Sequence, residues 1–224
     1  LEIWLSRAYL HAVQQCDFNP ALVLKGGQNL GKSYLAWWLC PEPLRRNHFY
    51  DGQFLFDDKD CLGRQSEVIV WEHQEAGFAR RDINLLKDFL TRREIRWRPA
   101  WGHEDLIKPA ISSFIFTVNE TGGCLVDEEN RRFHVVTLLS IDWAYREISG
   151  LNQGLWSQAK ANAKTWFTIT SADMAIRDAR NDDEKIIDPV EAVLEKIVEV
   201  TGAKEDFVPL SDLLDRLNRA EIKP

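Results

Sequence analysis

Eight consecutive residues, Gly26-Gly27-Gln28-Asn29-Leu30-Gly31-Lys32-Ser33, could hold a chain of phosphates. They fit the G-x-x-x-x-G-K-[ST] pattern. Gly26 and Gly31 allow backbone angles closed to other residues, so successive N–H groups can point into one concavity. Lys32 supplies a mobile positive charge to the β- and γ-phosphates, and Ser33 offers a hydroxyl to Mg²⁺. Tyr34 opens the helical stretch that follows, so a helix N-terminus also faces the phosphates. Nucleoside triphosphate, with ATP as the expected cofactor, is the ligand class that this loop predicts.

Hydrolysis needs more than a cradle. An acid at the tip of a neighbouring strand must orient the water ligands of Mg²⁺ or activate the attacking water. Glu72, at the end of the apolar run Val68-Ile69-Val70-Trp71, is the first candidate and Glu75 the second. Asn119 ends another apolar run, Ile111–Val118, and could place the lytic water against the γ-phosphate. Arg131 and Arg132 precede the run Phe133–Leu138. Two such arginines are either surface residues or fingers that stabilise charge on a phosphoryl group held by a neighbouring subunit.

These groups must be carried by elements the sequence can build. Residues 1–14 place apolar side chains at helical spacing, and Pro20 closes that stretch. Ala21–Leu24 reads as a buried strand leading into the loop, and Tyr34–Leu39 as the helix leaving it, stopped by Cys40-Pro41. The Trp37-Trp38 pair on that helix is expected in the core. Residues 48–56 suggest a strand or hairpin broken at Asp51-Gly52. Residues 67–71, 111–118 and 133–138 suggest further strands, and residues 80–93 a helix. Residues 95–110 interleave basic and aromatic side chains around Gly102 and predict a hairpin. From about residue 150 the pattern is helical, with Ser211 as an N-cap near the end. Strands alternating with helices predict an α/β fold with a largely parallel sheet. The expected layout is an N-terminal helix (1–20), a phosphate-binding core (21–149) and a helical C-terminal segment (150–224).

Composition narrows the class. The chain has 224 residues, 45% of them hydrophobic and 28% charged, which suits a globular protein of one domain or one with a small appendage. It has no apolar run long enough to span a bilayer, so no membrane partner is expected, and the first residue is Leu1, without a signal pattern. A cytoplasmic location and a piece of something longer are the expectations. Cys16, Cys40, Cys61 and Cys124 lack metal or redox spacing and read as free thiols. The net charge of −7 looks wrong for a nucleic-acid binder. However, residues 172–224 alone carry 8 basic and 14 acidic groups, whereas Arg80–Arg98 holds seven basic groups against three acidic ones. Phosphate contact needs a local field, not a basic total.

The stretches GGQNLGKS, VIVWEHQE, INLLKDFLTRREIRWRPAWG, FIFTVNE and DEENRRFHVV, in this order, resemble the superfamily 3 helicases of the AAA+ type. More closely they resemble the virulence-associated E family of phage, plasmid and island replication proteins. The resemblance covers roughly residues 21–143. It implies a P-loop NTPase fold and a hexameric ring that hydrolyses ATP between subunits and pulls on single-stranded DNA. It also implies a primase or primase-polymerase domain in the longer chain; the C-terminal segment is expected to begin a helical or winged-helix domain. Two departures stand out. Glu72 is followed by His73, with the second acid at Glu75, and the run before Arg131-Arg132 lacks its usual glycine. Rings of this type carry a DNA-gripping hairpin just before the Asn-ending strand, a place taken here by Arg96, Arg98, Trp101, His103 and Lys108. Cations interleaved with aromatic rings suit backbone contact and base stacking on a single strand. Two other readings share the phosphate loop: a non-translocating switch or assembly module, and a small-molecule phosphotransferase, for which no acceptor-binding lid is evident.

Overall fold

In the computed structural model, residues 1–52, 59–74, 83–99, 101–119, 131–166, 168–184 and Asp212 can be described. The chain divides into two compact units, 1–185 and 186–224; of the second only Asp212 is described, so the expected cap at Ser211 lies outside the described residues. Glu75, residues 127–130 and Cys124 also lie outside them.

In chain order the elements are α1 (Glu2–Ala12), β1 (Ala21–Gly26), α2 (Lys32–Leu39), α3 (Arg45–His48), β2 (Phe49–Asp51), α4 (Lys59–Arg64) and β3 (Val70–Gln74). Then come α5 (Ile83–Thr91), β4 (Glu94–Trp97), β5 (Leu106–Pro109), β6 (Ser113–Asn119) and β7 (Phe133–Leu138). A 3-10 turn at Trp143–Glu147 leads into α6 (Leu151–Ala161), α7 (Ala163–Trp166) and α8 (Ser171–Asp183).

Five strands form one sheet in the order β2-β3-β6-β1-β7, every pair parallel. The fold is the α/β architecture expected, with a central parallel sheet flanked by helices. β1 is near the middle, so the phosphate loop leaves the sheet between two neighbours. Strand alternation sorts side chains by face. Ala21 and Val23 of β1 join Trp71, Phe114, Phe116, Phe133 and Val135 in a core covered by Leu86, Phe89 and Leu90 of α5. Leu22 and Leu24 join Val70 and Ile115 on the other face, under Trp4, Leu5 and Ala8 of α1, Ala36 and Leu39 of α2 and Ala159 of α6.

Of the strand or hairpin expected at 48–56, Phe49–Asp51 is a strand, β2, at the sheet edge and parallel to β3, and residues 53–56 lie outside the described residues. Two elements depart from the sequence reading. β3 begins later and continues through Gln74, because pairing with β6 runs on to Thr117; Glu72 is therefore inside the strand rather than past its end. Trp37 is not core: it is 37% exposed, with the Arg45 guanidinium 4.4 Å above its ring. Trp38 is half-buried and meets Tyr145 edge-on at 4.6 Å.

β4 and β5 form the predicted antiparallel hairpin. It docks through Ile95, Trp97 and Ala110, with Leu62 of α4 against them. At its tip the Gly102 N–H donates to the Pro99 carbonyl at 2.9 Å. Among the described residues, no helix is long and apolar enough to cross a membrane.

Candidate nucleotide site

The phosphate loop is built by close approach. A Cβ at Gly26 would be 2.6 Å from the Leu138 carbonyl oxygen, so only glycine lets the end of β1 lie this close to the end of β7. Gly31 has φ +89°, in the left-handed region that glycine enters without penalty, and Asn29 has φ 63°. From this turn α2 starts at Lys32, its N-terminus facing the loop. Asn152 of α6 secures the other end of α2. Its Nδ2 donates to the Trp38 carbonyl at 2.6 Å and the Cys40 carbonyl at 3.3 Å.

Lys32 is buried. Its Nζ donates to the carbonyls of Gly26 and Gly27 at 2.9 and 2.8 Å and to Asn119 Oδ1 at 3.2 Å. Asn119 is in register with Gly26 across the β1–β6 pair, which is why the two ends meet. One strand further on, Glu72 is 2% exposed and its Oε1 accepts a hydrogen bond from Thr117 Oγ1 at 3.0 Å. Glu72 lies two residues before Gln74, the register partner of Thr117, so the two side chains share a sheet face. A cleft of about 420 Å³ opens here, lined by Gln28, Asn29, Gly31, Lys32, Ser33, Thr117 and Asn119. Thr117 thus touches both the cleft and the buried acid.

The donor set suits Mg²⁺. Ser33 and Glu72 offer oxygen only, the ligand type magnesium takes. Among the described residues no three His, Cys, Asp or Glu groups gather to hold a metal ion.

Other sequence candidates fall elsewhere. Arg131 is exposed and Arg132 half-buried, and the Arg132 carbonyl accepts from the Ala21 N–H at 2.7 Å. Ala21 starts β1 and the loop follows its other end, so the arginines sit at the opposite end of the strands, about 17 Å away at strand rise. The structure does not bring them to the chain's own cleft. The hairpin feeds the same end of the strands, entering β6 at Ser113. Arg96, His103 and Lys108 are exposed; Arg98 pairs with Asp105 at 3.1 Å, and Lys108 Nζ lies 3.8 Å from Glu67. Trp101 is 99% exposed and Trp97 only 9%. Trp101 has φ 68°, an unusual setting for a bulky side chain.

Two features of the site were not anticipated. Trp143 and Arg146, in the turn after β7, lie against the loop at Gly31 and Tyr34. Lys25, the residue before Gly26, is paired with Glu184 at 2.7 Å, both largely buried.

Residues 1–185 match the virulence-associated protein E-like domain. The chain belongs to that family. No curated protein matches it. Among solved structures, the VapE-like domain resembles an apo A form of the NrS-1 C-terminal region at 16% identity and TM-score 0.48, covering 96% of this chain and 62% of that one. A second apo A form of the same region gives 18% identity and TM-score 0.44, with 89% and 47% covered. A JCV helicase structure gives 14% identity and TM-score 0.40, with 89% and 62% covered. The VapE-like chain thus spans about half to three fifths of the length of these proteins.

Proposed function

We propose that this VapE-like chain is the ATP-hydrolysing motor of a DNA-translocating ring of the superfamily 3 type, acting in replication. The carrying observation is the meeting of Lys32 and Asn119 at one cleft whose lining residue Thr117 bonds the buried Glu72, a set brought together by the adjacent parallel strands β1, β6 and β3. In this reading the loop N–H groups and Lys32 hold the β- and γ-phosphates. Glu72, or Glu75 beyond it, prepares the lytic water, and Asn119 positions that water against the γ-phosphate. A magnesium ion held by Ser33 and Glu72 would neutralise phosphate charge when bound.

Arg131 and Arg132 act on the site of a neighbouring copy. Their place at the end of the strands opposite the cleft supports a trans role, and a closed ring, expected to be a hexamer, supplies the neighbour. The hairpin grips single-stranded DNA through Arg96, Arg98, Trp101, His103 and Lys108. The fully exposed Trp101, beside the exposed Arg98, His103 and Lys108, supports this motor reading over a nucleotide switch, because rings among cations suit single-strand stacking.

The test is ATP turnover per chain at several protein concentrations, with and without single-stranded DNA. Turnover is expected to rise with both. Absence of turnover at every concentration would overturn the motor, and DNA-independent turnover would favour the non-translocating switch.

A further inference from the structure

We propose that Trp143 and Tyr34 form the seat of the nucleotide's base. The inference rests on the phosphate loop holding a nucleoside triphosphate. It adds the part of the ligand that the loop cannot read.

The indole of Trp143 lies directly on the loop. A Cβ at Gly31 would fall 2.2 Å from its Cζ2 and 2.3 Å from its Cη2, so the ring occupies the space that any other residue would fill. Tyr34 follows Ser33, on the first turn of α2 beside the phosphate loop. Its ring stands 5.5 Å from Trp143, nearly edge-on at 67°. The Arg146 guanidinium lies 4.9 Å from the Trp143 ring centre and 5.7 Å from that of Tyr34. Trp37 extends the cluster, 5.2 Å from Tyr34. Two separate elements therefore deliver aromatic surface to the same side of the loop.

The exposure of these rings argues against a purely structural role. Tyr34 is 39% exposed and Trp37 37%, while Trp143 is half-buried and belongs to neither sheet core. Aromatic surface left open beside a phosphate cleft is what a flat, π-rich base would cover. Arg146 adds a cation above the same ring, which can stack on a base as readily as on indole. Stacking reads the face of a base and not its edge. Purines, with the larger face, are favoured over pyrimidines, and adenine and guanine are poorly separated.

The experiment measures equilibrium binding of ATP, GTP, CTP and inorganic tripolyphosphate to the full chain and to Trp143→Ala, Trp143→Phe, Tyr34→Ala and Lys32→Ala. Trp143→Ala is expected to weaken ATP and GTP about 5- to 100-fold, within the range for loss of one base stack. It should leave tripolyphosphate affinity within a few-fold, and Trp143→Phe should recover most of the loss. The parent should bind ATP and GTP within a few-fold of each other and CTP more weakly. Parent-like ATP affinity in both Trp143→Ala and Tyr34→Ala overturns the base seat, as does equal loss of ATP and tripolyphosphate in Trp143→Ala. If the parent binds neither ATP nor tripolyphosphate, the phosphate-loop reading itself falls. If it binds both equally, only the base seat falls.

Discussion

Lys32 Nζ and Asn119 Oδ1 are 3.2 Å apart, so the lysine of the phosphate loop is tied to the tip of a neighbouring strand. With the carbonyls of Gly26 and Gly27, Asn119 gives Lys32 three acceptors, as many as an ammonium has protons. An incoming phosphate must therefore replace a contact rather than add one. Lys32→Ala should abolish measurable ATP turnover. Asn119→Asp should also impair it, because a carboxylate holds the ammonium more tightly and repels the γ-phosphate. Nucleotide binding and turnover measured on both variants check this. Parent-like ATP affinity in Asn119→Asp would mean that the contact does not gate the lysine.

The Thr117–Glu72 bond links the cleft to a buried acid. Thr117→Val keeps the shape and removes the donor, leaving a buried carboxylate oxygen without that partner. It should destabilise the fold by about 1–3 kcal/mol in urea unfolding. Glu72→Gln should still bind ATP but hydrolyse it at least about 100-fold more slowly if Glu72 acts on the water. Parent rates in both Glu72→Gln and Glu75→Gln would remove both acids from the mechanism.

Arg131 and Arg132 stand too far from their own cleft to serve it. Removing the finger should cost on the order of 10³-fold in turnover and little in nucleotide affinity. Mixing Lys32→Ala chains with Arg131→Ala, Arg132→Ala double-variant chains should restore some activity, since one interface then holds both intact halves. No recovery in mixtures shown to co-assemble would mean that catalysis is completed within one chain.

At the hairpin tip, stability and grip should part company. Trp101 sits at a backbone angle that suits glycine. Trp101→Gly should leave the melting temperature unchanged or raise it by a few degrees, while weakening single-stranded DNA binding about 5- to 100-fold. In the companion variant, His103→Ala with Lys108→Ala, the log–log salt slope of DNA binding should become shallower by up to about two phosphate contacts. Unchanged DNA affinity in both variants would release the hairpin from this role.

Two histidines make stability depend on pH. Burial first, and then the Arg7 guanidinium, push His11 down to about 4. Burial and then Arg177 do the same to His134, also to about 4. Because the folded values lie below the unfolded one of about 6.5, the unfolded chain takes up protons first as pH falls. The stability is fully present above about pH 6.5 and is lost as pH falls towards 4. Urea unfolding between pH 7 and 5 should show this decline, and His11→Gln should flatten it. An unchanged slope would show that His11 is not kept neutral by the fold.

Much of this site was legible in the sequence because its parts are local. A glycine-bearing loop between an apolar run and a helix fixes its own geometry, and Asn119 and Glu72 belong to runs whose β-branched and aromatic content marks strands. The hairpin was readable from its alternation. What stayed hidden depends on which strands become neighbours. The extension of β3 past Glu72 follows from pairing with β6. Trp143 looks like any loop tryptophan until β7 is placed beside β1. Trp37 and Trp38 read as core from their place on the helix after the phosphate loop, yet α2 turns Trp37 outward under Arg45. The Lys25–Glu184 pair joins residues 159 apart, and no local pattern announces it.

β6 runs from the base of the hairpin at Ser113 to the cleft at Asn119, and it has no loose side. β3 holds one edge and β1 the other, and residues 113–117 are buried between the two cores. Such a strand cannot bow or slip by one residue without turning every side chain to the wrong face. The base of the hairpin and the amide that would meet a phosphate are thus the two ends of one stiff strut. A displacement at the cleft end would reach the hairpin base undamped, as a rigid shift of the strand rather than a bend.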